Sequence, residues 1–200
     1  MTKIMTRTSD GVPHVVALCG SRRDASKTRV ALQSVVDVAR DRGATATLVD
    51  LDDYDLPPFD ADHGDAGDAP ELKRTVDVAD AIVLGTPNYH GSYSGVLKNA
   101  LDYLGRDEFA GKTVGLLEVA GGQFPGSALA HLRAVARTLN AWTLPVEVAI
   151  PSSHSTVSAD AIVDDDVADR VAELGTEVVD YARVDDHPSL RTTAAAGAGD

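Results

Sequence analysis

The chain alternates short apolar runs with amphipathic stretches of helix length, and that alternation constrains its fold more than any other feature. His14 to Cys19 (HVVALC) is apolar with hardly a break, the pattern of a strand buried on both faces. Gly20 and Ser21 end it. Ser26 is then placed to cap a helix running to about Arg42, with Val30, Leu32, Val35, Val36 and Ala39 on one face. Gly43 is placed to close that helix. The same pattern predicts strands over 46–51, 81–85, 113–119 and 146–150. It predicts helices over 70–78, opened by Pro70, and over 92–103, 126–140 and 160–181. Residues 52–69, rich in Asp, Pro and Gly, read as a long loop.

Strands that alternate with helices pair in parallel through right-handed crossovers. Five such units predict an α/β, doubly wound five-stranded parallel sheet, and their spacing suits the flavodoxin-like strand order 2-1-3-4-5. The domain is expected over 13–184, between an N-terminal tail (1–12) and a flexible C-terminal tail (185–200, DDHPSLRTTAAAGAGD) with little to bury. In open sheets of this kind ligands bind beyond the carboxyl ends of the strands, near the switch point. The loops after strands one, three and four are therefore where function is expected.

Two hundred residues suit one domain. No stretch approaches the ~18 apolar residues of a membrane-spanning helix, and the first residues are polar, without the apolar centre of a signal peptide. A cytoplasmic protein is the expectation. Cys19, the only cysteine, excludes an internal disulfide and a cysteine-ligated cluster within one chain. The net charge is −13, from 25 Asp and 6 Glu against 5 Lys and 13 Arg. Such a surface disfavours nucleic acid and anionic membranes. Abundant Asp with little Lys resembles the halophilic composition of salt-loving archaea, where salt screens the self-repulsion. The alternative is an ordinary acidic protein.

All three loops are unusual. Residues 20–29 (GSRRDASKTR) lie between a buried strand and a helix N-terminus, whose free N–H groups and positive dipole suit a phosphate. Ser21, Ser26 and Thr28 add hydroxyls, and Arg23 adds a charge able to grip phosphate at two points. The alternative is a helix cap with exposed arginines. Residues 86–95 (TPNYHGSYSG) combine a stiff Pro87 with Gly91, which lets backbone approach a flat ligand. Asn88 and the loop's N–H groups are candidates for a polar ring edge, Tyr89 and His90 for its border, and a packed loop without ligand is the alternative. Residues 119–126 (VAGGQFPG) offer Gly121 and Gly122, weak evidence singly because turns use such pairs.

The pattern G-S-x-R-x-x-S-x-x-R followed by T-P-x-Y-H-G-S-Y-S-G-x-L-K-N-A-L-D closely resembles the NADPH-dependent FMN reductase family, which includes azoreductase-like and chromate- or quinone-reducing flavoproteins. The resemblance runs over about 14–150. It implies a flavodoxin-like fold, non-covalent FMN, NAD(P)H as hydride donor and a small-molecule quinone, azo, flavin or metal acceptor, in a homodimer or homotetramer. By that likeness Ser21, Arg23, Ser26 and Thr28 hold the FMN phosphate. Pro87, Asn88, Tyr89, His90, Gly91 and Ser92 line the flavin, and Gly121 and Gly122 close its far side. The family often has Asn at the place of Thr28 and an acidic residue at the place of Asn88. No general acid or base is assigned, and a backbone N–H of the second loop is expected to face the ring. An electron carrier without NAD(P)H oxidase activity, and a flavin-free protein, are the rival readings.

Other signals fail on inspection. Residues 106–113 (RDEFAGKT) lack the first glycine of a P-loop, and Lys112 leads into a strand. Residues 91–95 (GSYSG) place Tyr93 where a nucleophile elbow needs serine. The histidines show no metal-ligand spacing. Residues 164–166 read as a solvated helix start, and Cys19 as a small core residue.

Overall fold

A computed structural model describes residues 11–183. The predicted C-terminal tail, and the N-terminal tail up to residue 10, lie outside the described residues. Five strands, β1 His14–Cys19, β2 Thr45–Asp50, β3 Ala81–Pro87, β4 Thr113–Val119 and β5 Trp142–Ile150, form one sheet. All pairings are parallel, in the order β2-β1-β3-β4-β5. The helices are α1 Lys27–Asp41, α2 Ala69–Asp77, α3 Gly95–Tyr103, α4 Arg106–Phe109, α5 Ser127–Thr138, α6 Ser153–Thr156 and α7 Asp165–Asp180.

The unbroken hydrophobicity of β1 has a direct cause. Val15, Ala17 and Cys19 pack with Leu32, Val35 and Val36 of α1 and Val171, Leu174 and Val178 of α7. Val16 and Leu18 face the opposite layer, with Leu72 of α2, Leu97 of α3, Phe109 of α4 and Leu129 and Leu132 of α5. A strand with helices on both faces has no side to leave polar. Among the described residues no helix is long and apolar enough to cross a membrane.

The boundaries differ from expectation where local chemistry decides them. β3 runs two residues past 85, because Thr86 and Pro87 stay in register with Glu118 and Val119. β5 begins at Trp142 rather than 146. Pro145 interrupts its pattern, and an edge strand tolerates a residue that cannot donate. α3 begins three residues later than predicted, because the Ser94 hydroxyl accepts from Leu97 N and caps it. α7 begins at Asp165, capped by Asp164 through Val167 N at 3.0 Å. Lys112, the lysine of the failed P-loop, is buried and donates to the carbonyls of Val76 and Asp77 at 2.8 and 2.7 Å. It closes the carboxyl end of α2, where a cation is favoured.

Gly20 sets how tightly the sheet edge is built. A Cβ there would lie 2.7 Å from Leu97 Cβ and 3.2 Å from the Gly85 carbonyl oxygen, so the end of β1 touches α3 without a side chain between. Ser94 Oγ donates to the Gly20 carbonyl at 2.6 Å, and Gly20 N donates to the Gly85 carbonyl at 2.8 Å. The first two candidate loops are thereby joined at their bases.

Candidate functional site

The loops after β1, β3 and β4 converge at the carboxyl edge of the sheet on a cleft of about 100 Å³. Seven predicted residues line it: Ser21, Arg23, Thr28, Pro87, Asn88, Tyr89 and Gly121. Lys27, Val119, Ser153 and His154 line it as well and were not foreseen.

On the first loop, the Ser26 hydroxyl accepts from Arg29 N at 3.1 Å and caps α1. Ser26 is not among the lining residues; it shapes the loop rather than facing the cleft. Arg29 braces the loop from behind, donating to the Asp24 carbonyl at 3.0 Å and forming an ion pair with Asp50 at the end of β2. The amides of Lys27 and Thr28, in the first turn of α1, have no acceptor among the described residues, as helix geometry requires. Arg23 is exposed, and its guanidinium has no protein partner among the described residues.

The second loop is a two-residue hairpin. Tyr89 and Ser92 exchange both backbone hydrogen bonds, at 2.9 and 3.1 Å. His90 and Gly91 between them have φ of 54° and 79°, the left-handed pair that a type I′ turn needs. Gly91 takes this conformation without cost, and His90 tolerates it. His90, Gly91 and Ser92 thus form the turn beyond Tyr89. Ser92 Oγ shares a 2.9 Å hydrogen bond with His131 Nδ1 on α5, and His131 stands edge-on to Tyr93.

Hydrogen bonds within this loop decide which of its groups stay open to a ligand. Asn88 lines the cleft, and its side chain also bonds within the protein. Nδ2 donates to Glu118 Oε1 and, at 3.3 Å, to Ser127 Oγ, while Oδ1 accepts from Gly91 N at 3.0 Å. That last bond also occupies the Gly91 N–H. The amides of Asn88, Tyr89, Gly91 and Ser92 are all committed, and among the described residues that of His90 has no acceptor.

On the third loop Gly121 lines the cleft, and an added Cβ there would lie 3.7 Å from His154 Nε2. Gly122 is exposed, and its carbonyl accepts from Ser152 N at 2.8 Å, fastening this loop to the segment after β5. That fastening brings Ser153 and His154 to the cleft. Phe124 stands 95% exposed, an unusual setting for so large an apolar side chain.

Residues 13–155 match the NADPH-dependent FMN reductase family. The chain belongs to that family. It is 48% identical over 83 residues to an FMN-dependent NADPH-azoreductase of Staphylococcus aureus strain USA300, a match covering 42% of this chain and 44% of that protein. The chain thus spans less than half the length of that relative. Among solved structures, FerB of Paracoccus denitrificans, a flavoenzyme NAD(P)H:(acceptor) oxidoreductase, superposes with a TM-score of 0.72 at 23% identity, over 86% of this chain and 97% of that one. A flavodoxin from the domain Archaea superposes with a TM-score of 0.61 at 13% identity, over 84% and 98%. These two show the fold, which is flavodoxin-like.

The family implies FMN, and the cleft's donor set fits it. The phosphate end of FMN needs N–H, O–H and cationic donors. The free amides of α1, the hydroxyls of Ser21 and Thr28 and the guanidinium of Arg23 supply them at one loop. A flat ring with a polar edge needs close backbone, which the hairpin turn and Gly121 provide. Cys19 lies beneath the first loop but faces the core, where burial pushes its thiol up to about 11, so it supplies no nucleophile.

Proposed function

We propose that the chain is an FMN-dependent NAD(P)H oxidoreductase that takes hydride from NAD(P)H and passes its electrons, through non-covalent FMN, to a small quinone, azo, flavin or metal acceptor. The observation that carries this reading is the convergence, on one sheet edge, of an arginine and helix-N-terminal amides without partners among the described residues with a tight turn and a glycine loop. The S. aureus relative, named for NADPH and azo reduction, and FerB, named for an open choice of acceptor, support the same chemistry.

Bound FMN supplies the hydride chemistry. The chain's residues bind and orient it. Arg23, Ser21, Thr28 and the first amides of α1 hold the phosphate. Pro87, Tyr89 and the His90 N–H border the ring on one side, with Gly121 on the other. Ser26, Asn88, Gly91, Ser92 and Gly122 keep those groups in place. Among the described residues none is assigned as a general acid or base.

The reading includes assembly as a dimer or tetramer, supported by an apolar groove between α3 and α5 lined in part by Leu101, Leu104, Val135 and Leu139. It also includes work in molar salt, supported by the net charge of −13. Steady-state oxidation of NADPH and NADH, with a quinone or azo dye as acceptor and with or without FMN, tests it. FMN-dependent turnover by the chain alone is expected. A protein that takes up FMN yet oxidises neither donor would instead be an electron carrier.

A further inference from the structure

A glutamate inside β4 is the least expected residue in the sheet. The strand reads TVGLLEV, and every residue of it is buried. Glu118 is 0% exposed. A carboxylate is rarely placed there unless its oxygens are hydrogen-bonded. Both are. Oε2 accepts from Gly126 N at 2.9 Å and Leu129 N at 3.2 Å, across the start of α5, and Oε1 accepts from Asn88 Nδ2. Asn88 Oδ1 in turn accepts from Gly91 N, inside the hairpin turn.

One buried group therefore joins the loop after β3 to the beginning of the helix after β4. The chain of contacts runs from the α5 amides through Glu118 and Asn88 to the Gly91 amide. Its far end fixes the turn that presents the His90 N–H, which has no acceptor among the described residues. The α5 amides need an acceptor because Gly126, at the cap position, has no side chain to provide one. A negative charge at a helix N-terminus is also electrostatically favoured.

We propose that Glu118 is a positioning residue for the flavin, acting through Asn88 to lock the 89–92 turn in its ligand-binding form. This rests on the FMN reading above. Glu118 does not touch the cleft. Its effect reaches the ligand through Asn88, which lines the cleft and whose amide and carbonyl both bond protein partners, so that it acts as a strut. The geometry also defines a swap. In N88D/E118Q the amide now at position 118 donates to the carboxylate now at position 88, and the carbonyl of that same amide accepts from Gly126 N and Leu129 N. The carboxylate at position 88 still accepts from Gly91 N. Only the central link exchanges donor and acceptor and the outer ones keep theirs, whereas each single substitution leaves one link of the run unmade.

The test uses the 200-residue chain and three variants, E118Q, N88D and N88D/E118Q. Two quantities are read: FMN dissociation constants from quenching of FMN fluorescence, and hydrogen exchange of the Gly91 amide without flavin. Each single variant should bind FMN about tenfold more weakly, the scale of one lost charge-assisted hydrogen bond, and exchange Gly91 faster. The swapped pair should return FMN binding to within about threefold of the parent, since its links are intact. Folded single variants with the parent's affinity and exchange would overturn the proposal. So would a double variant as weak as the two losses combined. Should either single variant not fold, the swapped pair decides, supporting the proposal if it folds and binds as the parent does and overturning it otherwise. A parent that takes up no FMN would instead mark failure of the flavin reading, and this proposal would fall with it.

Discussion

Replacing Arg23 by alanine isolates what the first loop contributes. The side chain is exposed and without a protein partner among the described residues, so its removal leaves no buried donor or acceptor behind. Stability should therefore stay within about 0.5 kcal/mol of the parent. A charge-assisted hydrogen bond to phosphate is worth about 1.5–3 kcal/mol. Exposure to water and salt pulls that toward its lower end, about 1.5 kcal/mol, which is roughly a tenfold rise in Kd. Riboflavin has the same ring without the phosphate and should bind parent and variant alike. Fluorescence titrations of both proteins with both flavins, at two salt concentrations, measure this. The FMN difference should shrink as salt rises. An unchanged FMN Kd in R23A, or equal losses for FMN and riboflavin, would refute the assignment of the phosphate to this loop.

Three further outcomes follow from contacts in the fold. Ser94 is 1% exposed and bonds both Gly20 and Leu97, so S94A leaves a buried carbonyl and a buried N–H unpaired. It should lose about 1–3 kcal/mol, read as a lower denaturant midpoint at unchanged m. G20A forces a Cβ to within 2.7 Å of Leu97 Cβ; a loss of about 1–3 kcal/mol and a lower Tm are expected. The Cys19 thiol, raised by burial from 9.0 to about 11, should resist thiol reagents at neutral pH until the chain unfolds. Because the folded value lies above the unfolded one, its contribution to stability is intact below pH 9 and is lost as pH rises toward about 11. C19A should flatten the stability profile across that window.

Much of this fold could be read from the chain because its strongest signals are local. The unbroken apolar run of β1, the Ser26 cap and the Gly43 stop each depend on residues a few positions apart, and each is found as read. The early part of β5 was hidden because Pro145 hides a strand wherever the partner is unknown, and whether a strand lies at an edge is a property of the assembled sheet. The loop positions were legible as a set. The duties within them were not, because they depend on contacts between residues far apart in sequence. That Asn88, besides lining the cleft, bonds Glu118, 30 residues away, is not visible in the sequence. Glu118 itself did leave a trace, as the one charge in an otherwise apolar strand. Ser153 and His154 left none, since only the bond from Ser152 to Gly122 brings them to the cleft.

The most direct test of the proposed activity is an anaerobic titration of the FMN-loaded chain in molar salt, with NADPH and then NADH, following the visible flavin bands. Bleaching by at least one donor, with no partner reductase present, is the expected result. Bands that persist in excess of both donors, or a chain that takes up no FMN, would contradict it.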